Sequence, residues 1–285
     1  MARLLRRAAD LLDRLGLGEP AFRVFQRLQA ASAKDAAADP KLPPAYLRVL
    51  TAGSADAEVF VAQGQAAAGE FAALAQAHGA AIGPETRVLE FGCGSGRVAR
   101  WLIEATRARF SGCDVNGKLV AWCAANLDGD FRLTALSPPL PYADASFDLV
   151  YALSVFTHMH EANARAWFAE LARVTRPDGL ALLTFLDDRL PAASAVKGLA
   201  EAGYGIRRQG AEGGNLLSSY FTDAGFAARA APGWRLEAVV GSDASAQGQA
   251  VGVLRRSPRV RTHLAQKAMR AAIWTPARKL AASLS

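Results

Sequence analysis

Val88-Leu-Glu-Phe-Gly-Cys-Gly-Ser-Gly-Arg97 is the stretch on which the fold turns. The β-rich run Arg87–Phe91 leads into it, and a helix-like segment follows through Ala105. Gly92, Gly94 and Gly96 permit a tight turn and let a ligand approach the backbone closely. The helix that follows aims its free N-terminal N–H groups at the same space. A strand before and a helix after separate this loop from an ordinary glycine turn. Glu90 stands two residues before the first glycine. An acid there would repel a phosphate, so the loop suits a ligand with a cationic portion.

Downstream, strands and helices alternate. Ala108–Asp114 reads as a second strand, Leu119–Asn126 as a helix, Phe131–Thr134 as a third strand and Phe147–Leu153 as a fourth. Ala162–Thr175 is a helix, Arg176-Pro-Asp-Gly a turn and Leu180–Leu186 a fifth strand. This order predicts an open, mostly parallel α/β sheet. A helix over 192–202, a glycine-rich loop over 203–214 and a short helix at Asp223–Arg229 come next. Arg235–Val240 and Ala250–Leu254 are expected to pair as an antiparallel hairpin at the sheet edge. Asp114 ends the second strand, 18 residues after Gly96. Two readings are open for it: a carboxylate for both hydroxyls of a ribose, or a cap for the next helix. Loop, acid and alternation together predict a nucleoside pocket at the C-terminal edge of the sheet.

Upstream, residues 3–15 and Ala21–Ala33 read as helices. Asp39-Pro-Lys-Leu-Pro-Pro breaks the chain, and a longer helix runs over Asp56–His78. From Ser257 a basic amphipathic helix is expected, stopping near Pro276. The predicted organisation is a helical extension over 1–83, an α/β domain over 84–256 and a basic tail over 257–285.

Composition bounds the function. With 285 residues, 51% hydrophobic and 21% charged, the chain has an ordinary globular core. No apolar run reaches the length of a membrane span, and the basic start has no long apolar stretch behind it, which argues against a cleaved signal peptide. The net charge is +7. Residues 255–285 hold eight bases and no acid, and residues 1–34 hold seven bases against three acids, so the intervening body is acidic. Basic ends suit an anionic membrane surface or are simply solvated helix faces. Cys93, Cys113 and Cys123 form no paired pattern, which fits a reducing cytoplasmic compartment. The four histidines do not gather at metal-ligand spacing, so no metal is expected.

At this point the sequence resembles the class I S-adenosylmethionine-dependent methyltransferases. Leu89-Glu-Phe-Gly-Cys-Gly-Ser-Gly is similar to their first motif and Gly112-Cys-Asp-Val-Asn to their second. Ser146-Phe-Asp-Leu-Val-Tyr-Ala resembles their fourth strand, and Leu171-Ala-Arg-Val-Thr-Arg-Pro-Asp-Gly-Leu their entry into the fifth. The resemblance spans roughly 84–255. It implies a Rossmann-like seven-stranded sheet, mostly parallel with the last strand antiparallel, and S-adenosylmethionine as cofactor. It implies that Glu90, Phe91, Gly92, Cys93, Gly94 and Gly96 surround the methionine portion, that Asp114 holds the ribose and that Val115 packs on the adenine. Ser154, just past strand four, joins the cofactor set. The family's acid after strand three is missing from Thr134-Ala-Leu-Ser137, so backbone groups of Ala135 and Leu136 are expected to read the adenine. The stretch Pro138–His158 resembles bacterial methyltransferases of the type 11/25 kind, some of which accompany glycan synthesis. Relatives there often carry Gln-Asp before the last strand, where this chain has Gln249-Ala250.

A hydroxyl acceptor usually needs a base. His158, beyond strand four, is the candidate, with packing or capping as its competing role; His160 and Glu161 are weaker ones. Tyr220 and Asn215 are candidates for the acceptor side. No Asn/Asp-Pro-Pro-aromatic motif follows strand four and no Pro-Cys pair occurs, so nucleic acid is disfavoured as a substrate. The expected activity is O-methylation of a small molecule or a sugar or glycan unit. The alternative is a non-catalytic cofactor-binding module.

Overall fold

The computed structural model describes residues 17–31 and 42–257. The helix expected over 3–15 and almost all of the basic tail lie outside them. Three helices come first: α1 (Gly18–Ala31), α2 (Ala45–Ala52) and α3 (Ala57–Ala77). The α/β unit follows with β1 (Arg87–Phe91), α4 (Ala99–Thr106), β2 (Arg109–Asp114), α5 (Gly117–Asn126), β3 (Asp130–Leu133), β4 (Phe147–Ala152), α6 (Glu161–Val174) and β5 (Thr175–Asp187). It is completed by α7 (Leu199–Ala202), β6 (Tyr204–Arg208), β7 (Ser218–Phe221), α8 (Asp223–Ala230), β8 (Trp234–Val240) and β9 (Ala250–Arg256).

The main sheet runs β3-β2-β1-β4-β5, all parallel, then β9 antiparallel to β5 and β8 at the edge. This Rossmann-like path holds the seven strands that were expected, and β9 is inserted between β5 and β8. The described residues add two more. The end of β5, Leu186 and Asp187, pairs in parallel with Tyr220 and Phe221 of β7, and β6 pairs antiparallel with β7. The count is therefore nine rather than seven. Glycines through 203–214 conceal β6 in the sequence, and β7 is only four residues long.

Alternation of side chains decides how the sheet is buried. Leu89, Val150, Ala181 and Leu183 point to one face, against Trp167, Phe168 and Leu171 of α6 and Phe226 of α8. Val88, Leu149, Leu180 and Leu182 point to the other, against Phe71 and Ala75 of α3, Leu102 of α4 and Val120 of α5. Both faces are covered, so these strands read as continuous apolar runs. Each fully buried leucine or phenylalanine contributes roughly 1.5–3 kcal/mol. Phe71 is fully buried in the same core as Val88, so α3 packs as one layer of the α/β sandwich.

Local signals explain the ends. Asp56 caps α3, accepting from the N–H groups of Glu58 and Val59. The expected turn at 176–179 is a bulge inside β5, with Asp178 at φ 61° and the register shifting before Leu180. The helix expected over 192–202 is broken by Gly198, at φ 68°, into a 3-10 turn at Pro191–Ala195 and α7.

Candidate functional site

A cavity of about 720 Å³ opens at the C-terminal edge of β1, β2 and β4. This is where the strand order reverses between β1 and β4, so the loops part and leave a crevice. Glu90, Phe91, Gly92, Cys93, Gly94, Asp114, Val115, Ala135, Leu136, Ser154 and His158 all line it. Gly96 does not. It sits at φ +73°, and a Cβ there would lie 2.3 Å from Leu127 Cδ1, so its role is close packing on α5.

The glycine loop is built against both neighbours. A Cβ on Gly92 would come within 2.3 Å of Val155 Cγ2, and one on Gly94 within 2.6 Å of Thr51 Cγ2. Thr51 belongs to α2, and its hydroxyl accepts from the Ser95 N–H at 3.0 Å and meets Ser95 Oγ at 2.9 Å. The helical extension thus closes directly on the loop. Asp114 Oδ2 accepts from Gly94 N–H at 2.9 Å and Oδ1 from Asn116 N–H at 2.8 Å. Burial raises its pKa, and these N–H groups oppose the rise. The cap of α5 is Asn116, accepting from Lys118 N–H, so Asp114 is released from that role.

Glu90 is 2% exposed and its Oε2 has no hydrogen-bond partner. Burial pushes its pKa up to about 8, while the neighbouring Tyr151 hydroxyl and Arg97 guanidinium pull the other way. A carboxyl whose folded pKa lies above its ordinary 4.5 destabilises the fold as pH rises from about 4.5 to about 8. We expect Glu90→Gln to stabilise the cofactor-free protein by about 2–3 kcal/mol at pH 7 and by almost nothing at pH 4.5. Urea unfolding across that window checks this; a stability difference that does not change with pH would contradict it.

Past β4 the chain bends at Ser154, φ 62°. A ring of hydrogen bonds holds it there. Ser154 N–H donates to Thr184 Oγ1 at 2.7 Å, Thr184 hydroxyl to Gln249 Oε1 at 2.9 Å, and Gln249 Nε2 to Ser154 Oγ at 3.0 Å. His158 stands beside this ring. Its Nδ1 lies 2.5 Å from the Leu217 carbonyl, which can only accept, so Nδ1 carries the proton. Nε2 is therefore the lone-pair nitrogen, 3.5 Å from Ser154 Oγ. Burial lowers the pKa of His158, the carbonyl contact acting the other way, so the ring is neutral at pH 7.

The cavity wall after β3 bears on one of the expected contacts. The Leu136 carbonyl already accepts from Asn163 Nδ2 at 2.8 Å and Trp167 Nε1 at 3.1 Å, which fills both lone pairs. What the slot offers is apolar: Val115 and Leu136 are 37% and 50% exposed. Gly213 lies over both, since a Cβ there would be 2.5 Å from Leu136 Cδ2 and 3.3 Å from Val115 Cγ2. Its loop is pinned by Glu212, which accepts from His160 N–H and Asn163 Nδ2, and by Asn215, which donates to the Leu50 carbonyl.

The other candidates differ in position. Asn215 lines the cavity. Tyr220 is buried elsewhere, with Ala193, Val196 and Leu199, and does not line it. Neither do His160 and Glu161: His160 is the residue before α6, and Glu161 pairs with Arg165 and Arg229. Cys93 is buried, its Sγ near the Gly94 carbonyl at 3.7 Å, as a packing residue would be. Sequence reading missed Thr51, Arg97, Asn163, Thr184 and Glu212. Among the described residues no group of three or more His, Cys, Asp or Glu could hold a metal, and no helix is long and apolar enough to cross a membrane.

Residues 88–179 match a family model described as a methyltransferase domain. The chain is 38% identical over 100 residues to methyltransferase GfsG of Streptomyces halstedii, covering 33% of this chain and 35% of that protein. It is 35% identical over 131 residues to 27-O-demethylrifamycin SV methyltransferase of Amycolatopsis mediterranei, covering 42% and 47%. The chain thus spans less than half the length of these curated relatives. Its fold is shared with 1,6-didemethyltoxoflavin-N1-methyltransferase of Burkholderia thailandensis, solved with S-adenosylhomocysteine, at TM-score 0.50 and 19% identity over 68% of this chain and 80% of that one. Residues 88–179 carry a methyltransferase domain, on a fold shared with a methyltransferase solved with S-adenosylhomocysteine, so S-adenosylmethionine is the group to test against the site. The residues present fit that group. Glu90 offers a buried, unpartnered carboxyl oxygen for an ammonium, and Gly92, Gly94 and Asp114 line the same cavity beside it.

Proposed function

We propose that this methyltransferase domain methylates an oxygen of a small molecule or sugar unit, with His158 as the base. Bound S-adenosylmethionine supplies a methyl group on a sulfonium, already activated toward displacement. Glu90 and the glycine loop hold its amino-acid end, Asp114 its ribose, and Val115 and Leu136 its adenine. Nε2 of His158 would take the proton of the acceptor hydroxyl as that oxygen is methylated. The observation that carries this reading is His158 itself: a neutral imidazole in the same cavity as Glu90 and Asp114, its tautomer fixed by the Leu217 carbonyl. A hydroxyl needs such a base, whereas a neutral amine can attack without one.

The acceptor half is supplied by the helical extension. Phe22, Arg27, Tyr46 and Gln63 line it, and Asn215 closes it from the loop. Aromatic faces with amide and guanidinium donors suit a polar ring such as a sugar, in keeping with the resemblance to glycan-associated bacterial enzymes. The basic ends would then bring a cytoplasmic enzyme to an anionic inner membrane face, near lipid-linked intermediates. Incubation with methyl-labelled S-adenosylmethionine and a panel of sugar nucleotides and lipid-linked glycans tests the reading. Labelled product that is stable to base, as an ether is, supports it. Tight cofactor binding with no transfer to any acceptor would favour the binding-module alternative.

A further inference from the structure

Eight large hydrophobic side chains are exposed among the described residues, and four of them, Leu17, Val24, Phe25 and Leu28, lie on α1 or the residue before it. They are 49%, 53%, 59% and 65% exposed. At 100° per residue, 17, 24, 25 and 28 share one side of the helix. The opposite side carries Gln26, which is buried, and Phe22, which lines the cavity. The helix therefore turns a polar residue inward and its apolar stripe outward, the reverse of an ordinary surface helix. Arg23 and Arg27 run along one border of the stripe, between it and the cavity that both also line, Arg23 paired only loosely with Glu19 at 3.4 Å.

Such a stripe needs a cover. The flanking segments of this chain are charged like its border: residues 1–17 hold Arg3, Arg6, Arg7 and Arg14 against Asp10 and Asp13, and residues 258–285 hold six bases and no acid. Charge complementarity therefore lies with an anionic surface. An apolar helix face bordered by arginines is also the arrangement that beds into a lipid interface, with the guanidinium groups reaching the headgroups. We infer that α1 is a lipid-docking helix, seated through Val24, Phe25 and Leu28 on an anionic bilayer surface. Since the inner side of the same helix lines the cavity, docking brings the acceptor side to the interface. The docking does not depend on which acceptor is used, and its readout is partition rather than turnover.

The test is flotation of the full chain with vesicles of phosphatidylcholine alone and of phosphatidylcholine with phosphatidylglycerol. The wild type is expected to float with the anionic vesicles and to stay behind with the neutral ones. Phe25→Glu/Leu28→Glu should lower partition to anionic vesicles by at least about tenfold. S-adenosylmethionine binding should be unchanged, because neither side chain lines the cavity. If the double glutamate variant loses cofactor binding through misfolding, Phe25→Ser/Leu28→Ser is used with the same partition readout and an intermediate loss expected. The inference is overturned if the wild type does not float with anionic vesicles, or if the variants float as well as it does, since the basic ends alone would then suffice. A variant that melts earlier with unchanged partition would show the stripe covered by this chain's own residues. A dimer lost in the variant by sedimentation, again with unchanged partition, would show a second copy there.

Discussion

Asp114→Ala is expected to weaken S-adenosylmethionine binding by at least about 100-fold, read by calorimetric titration. The carboxylate has two tasks. It ties the glycine loop to the end of β2, accepting from Gly94 N–H at 2.9 Å and Asn116 N–H at 2.8 Å. In the proposed site it also meets the ribose hydroxyls. Alanine leaves the buried Gly94 N–H without an acceptor, and each buried group so stranded costs roughly 1–3 kcal/mol. The loss of a charge-assisted partner for the ribose adds to this. About 2.7 kcal/mol already corresponds to 100-fold. Asp114→Asn keeps one acceptor oxygen and should fall between. Binding by Asp114→Ala within threefold of wild type would remove both tasks at once.

His158→Gln is expected to lower turnover by about 10²–10⁴-fold, the usual contribution of a positioned base, while cofactor affinity stays within about twofold. Glutamine can keep a donor toward the Leu217 carbonyl, so the loop at 212–217 should remain seated. What it lacks is a basic nitrogen at the place of Nε2. The pH profile of the wild type carries a second signature. Burial lowers the pKa of His158 below its ordinary 6.5, so the neutral, proton-accepting form prevails at and above pH 7. Turnover should be level there and fall only on the acid side of the usual histidine range. In His158→Gln that acid limb should vanish. A variant retaining a third or more of wild-type turnover would mean that approach and orientation alone drive the reaction.

The contrast between Glu90 and His158 shows where the sequence was legible. The place of Glu90 could be read because it depends on local order: an acid two residues before a strand-to-helix glycine turn lies at the strand end, where it lines the cavity. Asp114 could be read for the same reason, by its place at a strand end. His158 could be named but not assigned. Its tautomer rests on the carbonyl of Leu217, 59 residues away. The ring that holds Ser154 rests on Thr184 and Gln249, 30 and 95 residues away. No periodicity or spacing encodes such contacts.

The sheet obeyed the same division. Alternating apolar strands and helices dictated a doubly covered parallel sheet, because strands buried on both faces must be apolar throughout. The β6–β7 pair escaped notice because strands of five and four residues are too short to show an alternating pattern of their own. It exists because two residues at the end of β5 extend beyond the main sheet and offer β7 a partner.

The sequence by itself thus determined the α/β order, the glycine loop, the place of Glu90 and Asp114 beside it, and the family those features resemble. Local chain geometry governs all of these. Tertiary structure alone decided that Thr51 of the helical extension closes on the loop, that the Leu136 carbonyl is already occupied, that Gly213 lies over Val115 and Leu136, and that α1 turns its apolar side outward. Each of these rests on side chains distant in sequence meeting through the packing of separate elements.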